Sequence, residues 1–514
     1  MKKKLPLIFL ILILFSAAFL RLYKISDYMT FLGDEGRDVL IAKGILEGHF
    51  TLLGPRASAA DFYLGPIYYY MMAPFLWLFK LDPVGPAIMV ALVGIATVFL
   101  VYFVGKRLLN ERAGLFAAAL YAVSPLVITY SHSSWNPNVL PFFSILIVYL
   151  LYQAVTLTNR QWRYFGAIGF FLGIALQLHY LTLFLGAFVL IYTMIGLWQK
   201  HKITLFRPIL KSYLFMFLGF IVGFSPFLAF EMRHGFANTK AIMSFVLGGT
   251  VDKMHPTNST YFSTVSDVFF RLFAKLVFYF PDAQIQFPFL TPPVLGFLAV
   301  AIAFVSLSSL LVIRDKRAKW LLFLWFLIPL LLFGLYKKAI YEYYFAIFFP
   351  LPFLLVGNFL SQLCEIKQKK WRLPAIMLGS FLFIALLAIN FSGNPFRKGP
   401  NYQKDQMKTI AEFVLSKTDN RPFNFALISG GNSDHAYRYF FEILNQKPVG
   451  IENTINDPHR NSVTKQLLVI CEDPNCEPLG NSLFEVAGFG RASISAEWNV
   501  SVVKVYRLVP YVTH

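Results

Sequence analysis

The sequence predicts a polytopic α-helical membrane protein with a small polar α/β domain at its C-terminal end. Three observations predict it. The 514 residues are 57% hydrophobic and only 14% charged, a balance that soluble globular domains do not have. Apolar runs of about 20 residues recur along the chain. Lysine and arginine recur in short clusters between those runs, which is the positive-inside pattern. A formal net charge of +19 could suggest nucleic acid as a partner. Its dispersal among the short loops argues instead for a lipid bilayer and against nucleic acid.

Taken in order, Lys2–Lys4 hold the N-terminus in the cytoplasm and residues 5–22 cross outward. This segment imitates a signal peptide. It is expected to be retained, because no convincing small-residue cleavage site follows Ala17-Ala18 and further apolar spans do. Residues 23–83 form a first outer loop, within which 67–80 read as an interfacial or re-entrant helix. Spans follow at 84–105, 114–130 and 138–157, with Lys106, Arg107, Arg112, Arg160 and Arg163 inside. The block 164–198 is too long for one crossing and is split near Gln177–Tyr180. A crossing at 212–230 opens a second outer loop, 231–290, with an amphipathic middle. Crossings at 292–313, 320–335, 343–361 and 373–391 complete about eleven, leaving the tail, 392–514, outside. Each inner loop then carries arginine or lysine. In the tail, 423–428 and 466–470 read as buried strands and 403–416 as a helix. Cys471 and Cys476 are close enough in sequence to pair in an oxidising compartment.

On this topology the distinctive polar motifs all fall on the outer side. The first is Phe31-Leu-Gly-Asp-Glu-Gly-Arg-Asp38. Its three carboxylates follow the first apolar span at once. If 34–46 is helical, Asp34 and Asp38 share a face at i,i+4. Crowded carboxylates beside low-dielectric material tend to be raised in pKa, as suits a general base. Alternatively Asp34 N-caps that helix, with Glu35 and Asp38 in its first turn. The other motifs are Phe62–Tyr70, Ser131–Asn138, Glu231–His234 and Lys337–Tyr344. Histidines placed as His132 and His179 are more often hydrogen-bonded helix-end residues than catalytic groups, and aromatics placed as Trp135 and Tyr68–Tyr70 more often interface anchors than sugar platforms. Arg233 and His234 could cap a helix C-terminus. Glu342 could pair with Lys337 and Lys338, and Asp434-His435 in the tail reads as structural.

Three local motifs resemble those of GT-C glycosyltransferases, in particular the family-39 branch that includes protein O-mannosyltransferases and the aminoarabinose transferase of lipid A. They are Gly33-Asp-Glu-Gly36, Gly65-Pro-Ile-Tyr-Tyr69 and Tyr343-Tyr-Phe-Ala-Ile-Phe-Phe-Pro350. The likeness in plan covers about residues 1–390, so 1–391 is expected to be the transmembrane catalytic domain and 392–514 an extracytoplasmic α/β domain. The resemblance implies an inverting hexosyl- or pentosyltransferase in the plasma membrane. It would move a sugar from a polyprenyl-phosphate donor to a hydroxyl of a protein, lipid or glycan acceptor. Asp34 would be the base and Glu35 would orient Asp34 or the acceptor. Arg56, Arg233, Lys337 and Lys338 would contact phosphate. Tyr68, His132, Asn136, Asn138, His234, Tyr343 and Tyr344 complete the expected substrate-binding set. Leu64 stands where the family often has a lysine, and Asn136 and Asn138 where many members have an acid. The outer loops hold no Asp-x-Asp, so neither a metal nor another cofactor is expected. A transporter or flippase for a lipid-linked sugar is the rival reading, and an assembly protein working through its tail a further one. A transporter would place ionisable residues mid-span, where this sequence is nearly free of them.

Overall fold

The computed structural model describes residues 4–57, 62–157, 160–201, 206–247, 260–279, 292–473 and 475–511. The predicted outer loop 231–290 is therefore described only at 231–247 and 260–279. The chain forms two compact units. One comprises residues 1–23, 51–71 and 88–399, and the other 24–50, 72–87 and 400–514.

The first unit is helical. Among the described residues, six helices are long and apolar enough to cross a membrane, or nine if each of three bent pairs is one span. It is a multi-pass membrane protein. The three bends are 63° after Glu111–Val123, 72° after Phe206–Gly223 and 60° after Glu342–Phe348. Pro125, Pro226 and Pro350 stand at these breaks, where a proline removes a backbone donor and clashes with the preceding turn. The two remaining predicted spans fall on Gln161–Leu178 and Lys316–Phe333. Their polar ends, with Gln161 and Arg163 in one and Lys316, Arg317 and Lys319 in the other, keep them out of the six. The predicted split at 177–180 is a true helix break, since Gln161–Leu178 ends there and Thr182–His201 begins.

Helices Gln161–Leu178 and Phe206–Gly223 touch backbone to backbone. A Cβ on Gly169 would lie 1.8 Å from the Met216 carbonyl oxygen, and one on Gly219 1.9 Å from that of Gly166. Small residues permit such contact where lipid supplies no hydrophobic drive. Arg21, fully buried in helix Leu5–Leu22, donates to the carbonyls of Ala122 (3.0 Å) and Tyr121 (3.4 Å). An intramembrane cation thereby gains backbone acceptors, although its buried Nε has no hydrogen-bond partner among the described residues.

The second unit contains a four-stranded sheet of β1 (Asn424–Ile428), β2 (Leu467–Cys471), β3 (Ala492–Val500) and β4 (Val503–Pro510), in the order β1-β2-β4-β3. β1 and β2 are parallel, and β4 pairs antiparallel with both β2 and β3. Ala426, Leu467, Val469, Phe489, Tyr506 and Leu508 form its core. The expected helix at 403–416 is Gln403–Ser416. Cys471 and Cys476 are disulfide-bonded. The acidic segment, read from sequence as part of an outer loop, packs into this unit as helix Gly33–Leu46. The sequence reading set the boundary at 391/392. Compactness sets it at 399/400 and adds residues 24–50 and 72–87 to the tail.

Candidate active site

The acidic helix begins at Gly33, and Leu32 is its N-cap. Asp34 is therefore not the capping residue. Glu35, only 6% exposed, supplies that function by accepting from the Leu32 N–H at 3.1 Å. A carboxylate at the third helical position satisfies a donor that the first turn would otherwise leave free. Asp34 stands one turn-position earlier and its side chain is 58% exposed. It is held by Arg37, whose Nη1 lies 2.8 Å from its Oδ1.

Arg37 is gripped from its other side. Its Nε and Nη2 donate to Oδ1 of Asp38 at 2.9 and 2.7 Å. Asp38 is fully buried, and its Oδ2 has no hydrogen-bond partner among the described residues. Burial pushes the Asp38 carboxyl up to about 7; Arg37 opposes this shift, and Asp34 and Glu35 reinforce it. The i,i+4 pairing of Asp34 and Asp38 thus exists, with Arg37 bridging them. Sequence reasoning noticed the spacing but gave Asp38 no role. Its burial was not visible, because no periodic apolar face marks the position.

The two glycines of Gly33-Asp-Glu-Gly36 are explained by packing. A Cβ on Gly33 would lie 2.0 Å from Ser433 Oγ, and one on Gly36 2.3 Å from the Ala436 nitrogen. Helix Gly33–Leu46 therefore lies directly on the loop and helix that follow β1, helix His435–Ile443. Asn432 joins them: its Oδ1 accepts from the Gly33 N–H (2.9 Å) and its Nδ2 donates to Glu472 (2.9 Å). Tyr437 donates to the same carboxylate at 2.9 Å. Lys43 lies 2.9 Å from Glu442 and also pairs with Glu47. Burial works against the Lys43 charge, but these carboxylates outweigh it and raise its pKa. His435, 2.8 Å from Ser433 Oγ, is lowered, by burial first. Asp434 pairs with Arg438 across one helical turn. Asn432, Glu472 and Lys43 are contributions that the sequence did not announce, since their partners are distant in the chain.

The remaining expected residues lie in the other unit, and several converge there. Tyr343 stands against Trp135 (ring centroids 4.4 Å) and Tyr344 against His179 (5.1 Å). The hydroxyls of Tyr180 and Tyr336 are 2.7 Å apart in the same aromatic cluster. Tyr68 is fully buried, with its hydroxyl 2.9 Å from Ser134 Oγ. Asn136 donates to the Leu178 carbonyl. Asn138 donates to Ser133 at 2.9 Å, while its buried Oδ1 has no partner among the described residues. Asn138 and Tyr343 line one small cavity with Tyr130 and Ser131. His132 is buried 3.1 Å from the Leu20 carbonyl, and burial pushes it down to about 4.

Arg56 is exposed and its backbone bridges to Tyr63. Tyr63 is tied to Asn238 at 2.8 Å. Glu231, fully buried, accepts from the N–H groups of Asn238 (3.2 Å) and Thr239 (2.7 Å) at the start of helix Ala237–Leu247. Arg233 is exposed at the end of helix Ser225–Arg233, and His234 caps it through the Phe230 carbonyl at 2.9 Å. Lys337 is exposed and Lys338 half-buried. Glu342 is not their ion-pair partner: it lies 2.8 Å from Arg271 and 3.8 Å from Lys275. Arg271 also donates to the Ile340 carbonyl at 2.9 Å. The only sequence signal for Arg271 is the amphipathic character of its helix, Tyr261–Ala274.

Residues 64–230 match the family described as dolichyl-phosphate-mannose-protein mannosyltransferase. A search of curated proteins finds no match. Among solved structures, ArnT from Cupriavidus metallidurans bound to undecaprenyl phosphate aligns with a TM-score of 0.61 at 12% identity, over 97% of each chain. The archaeal oligosaccharyltransferase AglB from Archaeoglobus fulgidus, in complex with an inhibitory peptide and a dolichol-phosphate, aligns at 0.53 and 14% identity, over 91% of this chain and 69% of that one. The chain has the GT-C fold. The GT-C, family-39-like resemblance read from the sequence is borne out. The match to the mannosyltransferase family begins at Leu64, one residue before the motif Gly65–Tyr69, and ends at Phe230. Within this GT-C chain the acidic helix and the tail lie outside the matched segment.

Proposed function

We propose that this protein is an inverting glycosyltransferase that takes a sugar from a polyprenyl-phosphate carrier to an acceptor hydroxyl at the outer face of the plasma membrane. The observation that carries the reading is Asp34: an exposed carboxylate, fixed by Arg37, on the helix just after the first apolar span of a GT-C chain. The family match over 64–230 supports the class of reaction. The two structural neighbours, one bound to undecaprenyl phosphate and the other in complex with a dolichol-phosphate, support the class of carrier. Positively charged short loops support an inner N-terminus. The Cys471–Cys476 bond supports a tail facing an oxidising compartment.

In the proposed reaction Asp34 takes the proton of the acceptor hydroxyl as that oxygen bonds to the anomeric carbon. The bond from that carbon to the phosphate oxygen breaks, its electron pair leaves with polyprenyl phosphate, and configuration inverts. The leaving phosphate is already a good acceptor of charge, so it needs cations more than a proton. Arg56, Arg233, Lys337 and Lys338 are proposed for that role. Glu35 acts by holding the first turn that carries Asp34. The aromatic cluster around Tyr343 and Tyr344 offers flat surfaces for a sugar ring.

The test uses the purified full-length protein in detergent with a panel of polyprenyl-phosphate sugars, reading sugar release and transfer. Turnover of at least one donor is expected, and Asp34→Asn should lower it by about 10²- to 10⁴-fold, the usual contribution of a general base. No turnover of any donor, or an Asp34→Asn variant as active as the parent, overturns the reading.

A further inference from the structure

A second feature of the helical unit is not used by the proposed reaction. A cleft of about 710 Å³ opens between helices Leu5–Leu22, Glu111–Val123 and Lys369–Ser392. Its walls are apolar, with Leu12, Phe116 and Phe383 among them, and the Phe116 and Phe383 rings are 4.9 Å apart. Its two charged lining residues are Arg112 and Arg372. Each stands in the first turn of its helix, and Arg112 lies beside Cys364, which ends the helix preceding Lys369–Ser392. Both arginines therefore mark one end of the cleft, and Val123 and Leu387 the other.

The guanidiniums of Arg112 and Arg372 are exposed, and neither has an ion-pair partner among the described residues. The neighbouring carboxylate Glu111 is taken by Lys106. Glu365 is the other acid nearby, followed in sequence by Lys367, Lys369 and Lys370. From Arg112 to Val123 the helix rises about 16 Å at ~1.5 Å per residue, close to half of the ~30 Å hydrocarbon core. An apolar cleft one leaflet deep with a cationic mouth matches a lipid whose chains are apolar and whose head is anionic. Basic pockets between transmembrane helices hold acidic head groups in this way, and the planar guanidinium suits phosphate.

We propose that this cleft binds an anionic glycerophospholipid of the bilayer, with its phosphate between Arg112 and Arg372 and its acyl chains along Leu12, Phe116 and Phe383. The site differs from that of the sugar donor, and the inference does not depend on the transfer reaction.

Native mass spectrometry of the purified full-length protein, titrated in neutral detergent with dioleoyl phosphatidylglycerol or dioleoyl phosphatidylcholine, tests it. The wild type is expected to retain phosphatidylglycerol about tenfold more strongly. The double variant R112Q/R372Q should lose that preference while melting at the wild-type temperature. Ala119, on the cleft wall, gives a second variant: Ala119→Trp should reduce retention of both lipids by filling the space. Equal retention of the two lipids by wild type, or an unchanged preference in R112Q/R372Q, overturns the proposal. So does displacement of bound phosphatidylglycerol by equimolar undecaprenyl phosphate, which would assign the cleft to the carrier instead.

Discussion

Replacing Asp38 with asparagine should make the protein more stable and less active. The side chain is fully buried, one of its oxygens lacks a partner, and its carboxyl sits at about 7 rather than 3.8. The folded state therefore holds this proton more tightly than the unfolded chain does. Stability from this group is full below pH 4 and declines as pH rises to 7, because folding must keep a proton that solvent would remove. Asparagine has nearly the shape of the protonated acid but does not titrate. The advantage of Asp38→Asn follows from the separation of the two pKa values at 1.36 kcal/mol per unit: about 2 kcal/mol at pH 5, rising to about 4 kcal/mol at pH 8. Thermal melting in detergent at the two pH values measures it. Above pH 7, where Asp38 is ionised, the same substitution removes the anion that fixes Arg37, so transfer there should fall by tenfold or more, about 1.4 kcal/mol of lost positioning. A buried charge that costs stability is expected where function requires it. A variant no more stable than wild type at pH 8, or equally favoured at pH 5 and pH 8, refutes the reasoning.

Gly36→Ala places a Cβ 2.3 Å from the Ala436 nitrogen; it should cost about 1–3 kcal/mol and speed proteolysis of the tail. Asn432→Ala leaves the Gly33 N–H and Glu472 each short of a partner. It should destabilise by about 1–3 kcal/mol, with Asn432→Asp restoring the bond to Gly33 but not that to Glu472. Cys471→Ser opens a loop of sequence separation 5 and should lower stability by about 2 kcal/mol, an effect that reductant reproduces in wild type but not in the variant.

The helical breaks and the tail show what kind of feature a sequence displays. The break at Gln177–Tyr180 was readable because the largely apolar block 164–198 exceeds one bilayer crossing. Helix Gln403–Ser416 was readable from its own periodicity, and strands β1 and β2 as short, largely apolar runs of the kind that form buried strands. The hairpin of β3 and β4 was not, since only five of its 17 strand residues are buried and the others are partly or fully exposed. At the site, Asp34 and Glu35 stood out as acids in an acid-poor chain. The capping role of Glu35 and the importance of Asp38 did not, because both depend on where the helix starts and what covers it. The pairing of Glu342 with Arg271 rather than with the adjacent lysines has the same origin, with 71 residues separating the partners.

By itself the sequence determined the membrane class, the helical segments and the chemistry available near the first span. These follow from apolar run length and residue type, which are local properties. Only the tertiary structure decided that the acidic helix belongs with the tail, that Arg37 bridges Asp34 and Asp38, and that a cationic cleft opens between three helices. Each of these depends on close approach between distant segments, and the sequence carries no distance information between them.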